Sequence, residues 1–179
     1  MVATESSFTS SADGTEIATS AWIDTEGEPR GVVQIAHGLA EHAARYDRFA
    51  RALLGAGFLV FATDHRGHGR TAGDRLGDFG AAGFGGLVAD VADYGRRVAG
   101  EHPDLPLFLF GHSMGSFAAQ TVVVDDADHY AGVVLSGSTA LDVLGANLAE
   151  AEGPVGLTAF NAGFEDRTGY EWLSRRRRR

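Results

Sequence analysis

Short apolar runs and helix-period stretches alternate along the first 140 residues. Residues 32–36, 58–62, 107–110 and 132–135 are apolar runs of four or five, bounded by turn signals and too short for helices, and they predict buried strands. Between them, Tyr46, Phe49, Ala50, Leu53 and Leu54 share one helical face, which Gly55 and Gly57 close. Leu87, Val91, Tyr94 and Val98 share a second face, closing at Gly100 and Pro103, and residues 113–124 predict a third helix. Nearer the start, two short alternating runs, residues 8–10 and 17–22, flank Ala12-Asp13-Gly14 and predict a β-hairpin. Strands alternating with helices at this spacing imply βαβ units, hence an α/β fold with a mostly parallel sheet and helices on both faces. Right-handed crossovers then gather residues 37–42, 64–73 and 111–115 on one rim, where such sheets bind ligands.

After Ser138 the pattern changes. Residues 141–173 are apolar and glycine-broken, without a clear strand. The expected organisation is a core over 1–140, the start of a helical segment over 141–174 and an arginine tail over 175–179.

Composition narrows the chemistry. With 44% apolar and 22% charged residues the chain is globular. It has no Cys, which removes disulfides, thiolate metal sites and a Cys nucleophile. All 15 basic residues are Arg, so a lysine Schiff base and a Walker-type P-loop are excluded. The net charge of −9 includes five terminal Arg; without them 10 basic residues face 24 acidic ones, a balance of −14 that disfavours nucleic acid and anionic membranes as partners. No apolar leader and no stretch of 18 apolar residues is visible, so the expected location is the cytoplasm. The sequence implies no oligomeric state.

Gly111-His112-Ser113-Met114-Gly115 fits G-x-S-x-G. With this glycine content chance alone gives roughly 0.2 matches, so the context carries the weight. The match follows an apolar strand and opens a helix, the strand–turn–helix setting in which a strained turn exposes a serine hydroxyl and both glycines must be small. Ser113 is thus the candidate nucleophile, and the Met114 N–H at the helix start points at a developing oxyanion. His37-Gly38-Leu39, after the first buried strand, can supply the second donor from the Leu39 N–H. Asp64-His65-Arg66-Gly67-His68-Gly69 matches no common metal-ligand spacing; Asp64 and Arg66 are expected to brace neighbouring loops, with no metal.

Three motifs in this order, residues 37–46, 64–69 and 111–115, resemble the monoacylglycerol lipase and lysophospholipase group of α/β-hydrolases, also classed with serine aminopeptidase-like hydrolases. The likeness runs from about residue 13 to 172, and residues 170–175 resemble part of the group's cap. It implies an α/β-hydrolase fold, incomplete at its C-terminal side. It implies Ser113 as nucleophile, Leu39 and Met114 as the oxyanion hole, and His37, Gly38, Asp64, Arg66, Gly111 and Gly115 as structural motif positions. It further implies a mobile apolar cap, hydrolysis of carboxylic esters such as monoacylglycerols or lysophospholipids, and no cofactor. The partner implied is a small acyl ester or lipid, with peripheral membrane contact and no transmembrane segment.

In this fold the triad runs serine, acid, histidine in chain order. No position here matches the group's acid or base. The only His after Ser113 is His129, which a helix of about 18 Å carries towards the opposite rim. His37, His42, His65 and His68 lie on the correct rim with nothing to pair them to a carboxylate, and His112 points away. The expectation is a chain with little or no turnover alone, and the alternative is a non-catalytic acyl-lipid or protein binder. The likeness stops where five Arg begin, which suggests a frameshift or early stop.

Overall fold

The computed structural model describes residues 3–140. The chain divides into two units, Met1–Ser138 and Thr139–Arg179, and the architecture below is that of the first. The expected helical segment over 141–174 and the arginine tail lie outside the described residues.

Six strands form one sheet: β1 (Thr4–Thr9), β2 (Glu16–Trp22), β3 (Gly31–Ala36), β4 (Phe58–Thr63), β5 (Leu107–His112) and β6 (Gly132–Ser136). Their spatial order is β1-β2-β4-β3-β5-β6. The hairpin strands β1 and β2 pair antiparallel, β2 joins β4 antiparallel, and every pairing from β4 through β3 and β5 to β6 is parallel. This is the mostly parallel α/β sheet that the sequence predicts.

The pleat sorts side chains between two faces. Val33, Ile35, Val60 and Ala62 pack with Trp22 against α1 (Asp47–Gly55), through Ala50 and Leu54. Val32, Leu59, Phe61 and Leu107 turn the other way, onto Tyr94 and Val98 of α3 (Gly83–Glu101). Next to them Ala36 and Leu109 pack with Leu87 and Val91 of α3 and with Ala118, Ala119 and Val122 of α4 (Met114–Asp125). All six residues of β3 are buried, as befits a strand covered on both faces and paired on both edges. Among the described residues no helix is long and apolar enough to cross a membrane.

Two elements differ from the pattern-based reading. β1 begins at Thr4 rather than residue 8, because pairing with β2 extends through exposed polar residues that carry no apolar signal. Within the rim segment 64–73, where the pattern predicts no helix, Gly69–Ala72 form a single helical turn, α2. Asp64 makes that turn: its Oδ2 accepts the Arg70 N–H at 3.0 Å, and a Cβ on Gly69 would lie 2.5 Å from the Asp64 carboxyl carbon.

Candidate active site

One residue separates β5 from α4, and that residue is Ser113. Its backbone sits at φ 50° and ψ −117°, a conformation that side-chain-bearing residues rarely adopt. Sterics around it require the flanking glycines. A Cβ on Gly111 would come within 2.6 Å of the Gly115 carbonyl oxygen, and one on Gly115 within 2.6 Å of the His37 oxygen and closer still to that of Ala36. The start of α4 therefore lies directly on the end of β3. The turn is pinned on both sides: the Ser113 N–H donates to the Ser136 carbonyl at 2.9 Å, and the Ser113 carbonyl accepts the Ser116 N–H at 2.8 Å and the Ser116 hydroxyl at 2.6 Å. Met114, as the first residue of α4, has an amide with no acceptor among the described residues.

The strand end of β3 meets this elbow. A Cβ on Gly38 would sit 3.3 Å from Ser113 Cβ and 3.2 Å from the His112 ring, so the 38–39 backbone runs beside the serine. Leu39 is half exposed, its amide also has no acceptor among the described residues, and Ala40 turns the chain at φ 59°. Glu41 ties the corner down. Its carboxylate accepts the Gly38 N–H at 3.0 Å and the Tyr46 hydroxyl at 2.7 Å, and pairs with Arg45 at 2.9 Å. Burial alone raises the Glu41 carboxyl, but these donors and the Arg45 charge outweigh it, and the group ends below its ordinary value. The structure thus brings Ser113, Met114, Gly38 and Leu39 to one corner of the rim.

Three of the four rim histidines point inward, and the fourth, His42, is exposed. His37 and His65 are fully buried, with ring centroids 4.0 Å apart, and His68 stands edge-on to His37 at 5.2 Å. His37 Nδ1 faces the Gly38 carbonyl at 2.8 Å, and its Nε2 faces the His65 N–H at 3.0 Å. A carbonyl only accepts and an amide N–H only donates, so His37 is the neutral Nδ1–H tautomer. Burial pushes its pKa down to about 4, and His65, whose Nε2 has no partner among the described residues, lies well below the usual imidazole range for the same reason. His112 Nδ1 meets the Ser136 hydroxyl at 3.2 Å, and His129 precedes β6 at the opposite rim. None of these imidazoles is hydrogen-bonded to the Ser113 hydroxyl.

Asp64 and Arg66 hold the rim loops. Asp64 accepts the Ala43 N–H at 2.7 Å in addition to the Arg70 N–H. Arg66, buried in full, donates through Nε and an Nη to both oxygens of Asp90 on α3 at 2.9 and 3.1 Å, and pairs with Asp13 of the hairpin turn at 2.8 Å. The Arg66 guanidinium holds Asp13 well below the ordinary carboxylate range, whereas burial keeps Asp90 above it. The sequence reading places Asp13 only in the hairpin turn and does not reach Asp90 or Ser136. Asp13 and Asp90 lie 53 and 24 residues from Arg66, and no local pattern marks them as its partners.

With the site in place, the comparisons decide the family. The family described as serine aminopeptidase, S33, matches residues 27–174. The chain belongs to the serine aminopeptidase S33 family. Within reach of this S33 chain, the human monoglyceride lipase is 39% identical over 124 residues, covering 69% of this chain and 40% of the relative. The monoacylglycerol lipase of Mycolicibacterium smegmatis is 40% identical over 124 residues and 43% of its own length is covered. Among solved structures, a highly thermostable carboxyl esterase from Bacillus coagulans superposes with a TM-score of 0.73 at 31% identity, over 99% of this chain and 60% of that one. The chain therefore spans about two-fifths of the length of these two lipases. The S33 match and these neighbours make the sheet that of an α/β-hydrolase.

Proposed function

We propose that this chain carries the nucleophile and oxyanion apparatus of a serine hydrolase for carboxylic esters, with monoacylglycerols as the substrate class and lysophospholipids as the nearest competitor. The observation that carries the reading is Ser113, held at φ 50° between β5 and α4 beside a Met114 amide that has no acceptor among the described residues. In this reading the Ser113 Oγ adds to the ester carbonyl carbon. The carbonyl oxygen becomes an oxyanion, and the Leu39 and Met114 N–H groups receive it. Collapse of the intermediate expels the alcohol, glycerol for a monoacylglycerol, and leaves an acyl-serine that water then hydrolyses. The substrate class comes from relatives named monoglyceride lipase and from an esterase solved with glycerol.

The Ser113 proton needs an acceptor during attack. His37 is bonded inward through both nitrogens, His65 and His68 are buried with it, His112 faces Ser136, and the exposed His42 makes no hydrogen bond to the Ser113 hydroxyl. An oxyanion hole without triad partners retains a rate on the order of 10³–10⁴ over water in serine proteases. Slow chemistry is therefore expected of the 179-residue chain. The same observation favours a second reading, an acyl-lipid binder without turnover.

Fluorophosphonate labelling separates the two, read by mass spectrometry beside glycerol release from monoolein and glycerophosphocholine release from lysophosphatidylcholine. Slow covalent labelling at Ser113, abolished in Ser113→Ala, supports the hydrolase. Saturable monoolein binding with no adduct at any time supports the binder.

A further inference from the structure

Resting on the hydrolase reading above, we infer that His37 is the positioning residue that aims the Leu39 N–H at the oxyanion, by locking the Gly38–Leu39 peptide plane from below. His37 Nδ1–H donates to the Gly38 carbonyl at 2.8 Å, and that carbonyl belongs to the same peptide unit as the Leu39 N–H. In a trans peptide the C=O and N–H point in opposite directions, and no described peptide is cis. A carbonyl drawn down onto a fully buried imidazole thus sends the Leu39 N–H the other way, out of the core and onto the rim beside Ser113.

The donor nitrogen is fixed in turn. The His65 backbone N–H occupies His37 Nε2 at 3.0 Å, so the ring proton resides on Nδ1, where it is needed. The end of β4 therefore sets the tautomer, and the tautomer sets the peptide plane at the end of β3. The preceding peptide is held independently, since the Gly38 N–H donates to Glu41 at 3.0 Å. Two consecutive peptide planes are locked, and the strained corner at Ala40, φ 59°, closes the loop behind them. His37 touches no substrate in this arrangement. It works through Leu39.

Two measurements test this, one of which needs no activity. In the ¹⁵N spectrum of the imidazole side chains of the full chain, His37 is expected to carry its proton on Nδ1 from neutral pH down to about pH 5, with Nε2 unprotonated; a proton on Nε2 at neutral pH overturns the inference. The second is the rate of fluorophosphonate labelling in His37→Asn and His37→Phe. The Asn amide places a donor near the Nδ1 position and is expected to stay within about threefold of the parent. The Phe variant fills the space without a donor and is expected to fall at least tenfold, in line with the 10²–10³ cost of deleting an oxyanion donor outright. Equal rates in a folded Phe variant, judged by its circular dichroism, overturn the positioning role. If the parent forms no adduct, the hydrolase reading falls while the imidazole spectrum still decides the tautomer. Failure of the Phe variant to fold leaves the Asn variant to decide, and a tenfold loss there with the fold intact also overturns the donor assignment.

Discussion

Ser113 shows at one residue how the fold holds strain in a tight strand-to-helix turn. Its φ of 50° with ψ of −117° puts a Cβ where only glycine is comfortable, a cost on the order of 1–3 kcal/mol. Ser113→Gly removes that cost and leaves the pinned backbone in place. It is expected to stabilise the chain by about 1 kcal/mol, raising Tm by roughly 2–4 °C in differential scanning calorimetry, while ending covalent labelling. An unchanged or lower Tm means the strain is not relieved there. This residue was legible in advance, because Gly111 and Gly115 mark the crowding that makes the turn. The histidines were less so. An imidazole in a rim loop reads alike whether it faces water or core, and only three-dimensional neighbours reveal that His37, His65 and His68 turn inward.

At the scale of elements, the sequence announces the buried strands and the helices behind them but not the bonds that fasten one to another. Apolar runs set β3 to β6, and the helical periods of α1 and α3 agree with the structure to within a few residues. The ion cluster tying the hairpin, the rim loop and α3 is non-local, and α2 is a four-residue turn held by bonds from Arg70 and Thr71 to Asp64, so neither leaves a periodic trace. The cluster has a measurable consequence. Removing one partner of a buried pair leaves an uncompensated charge, typically at a cost of about 3–5 kcal/mol. Arg66→Leu strands Asp90 in this way, and the destabilisation measured by urea unfolding is expected to fall in that range. The double variant Arg66→Leu, Asp90→Leu is expected to recover at least about 1 kcal/mol of it, since neither charge is then buried alone. A double variant as damaged as the sum of the two single ones contradicts the pairing.

The whole molecule carries two further consequences, one set by pH and one by shape. His37 and His65 stay neutral because burial depresses them, His37 to about 4 against an ordinary 6.5. In the unfolded chain they take up protons near 6.5, so the folded state keeps its full stability above that pH and loses it as pH falls towards 4. For His37 alone the loss amounts to about 3 kcal/mol and levels off below its folded value. The urea midpoint is expected to drop steadily across this window, and less steeply in His37→Asn; a flat profile contradicts burial of the neutral rings. Shape matters at the other side of the sheet. β6 ends the strand order, its outer edge pairs with no strand among the described residues, and Val133, Val134 and Leu135 are 37%, 54% and 44% exposed. An apolar edge with free backbone groups is a template for another chain. Burial on the core side is not at stake at Val134, so a charge there leaves the fold alone and opposes edge-to-edge pairing. Val134→Lys is expected to keep stability within about 0.5 kcal/mol of the parent. It should also lower concentration-dependent light scattering severalfold. Scattering that persists undiminished in a folded Val134→Lys moves the adhesive surface away from β6, to other exposed apolar positions such as Leu76 or Ile23.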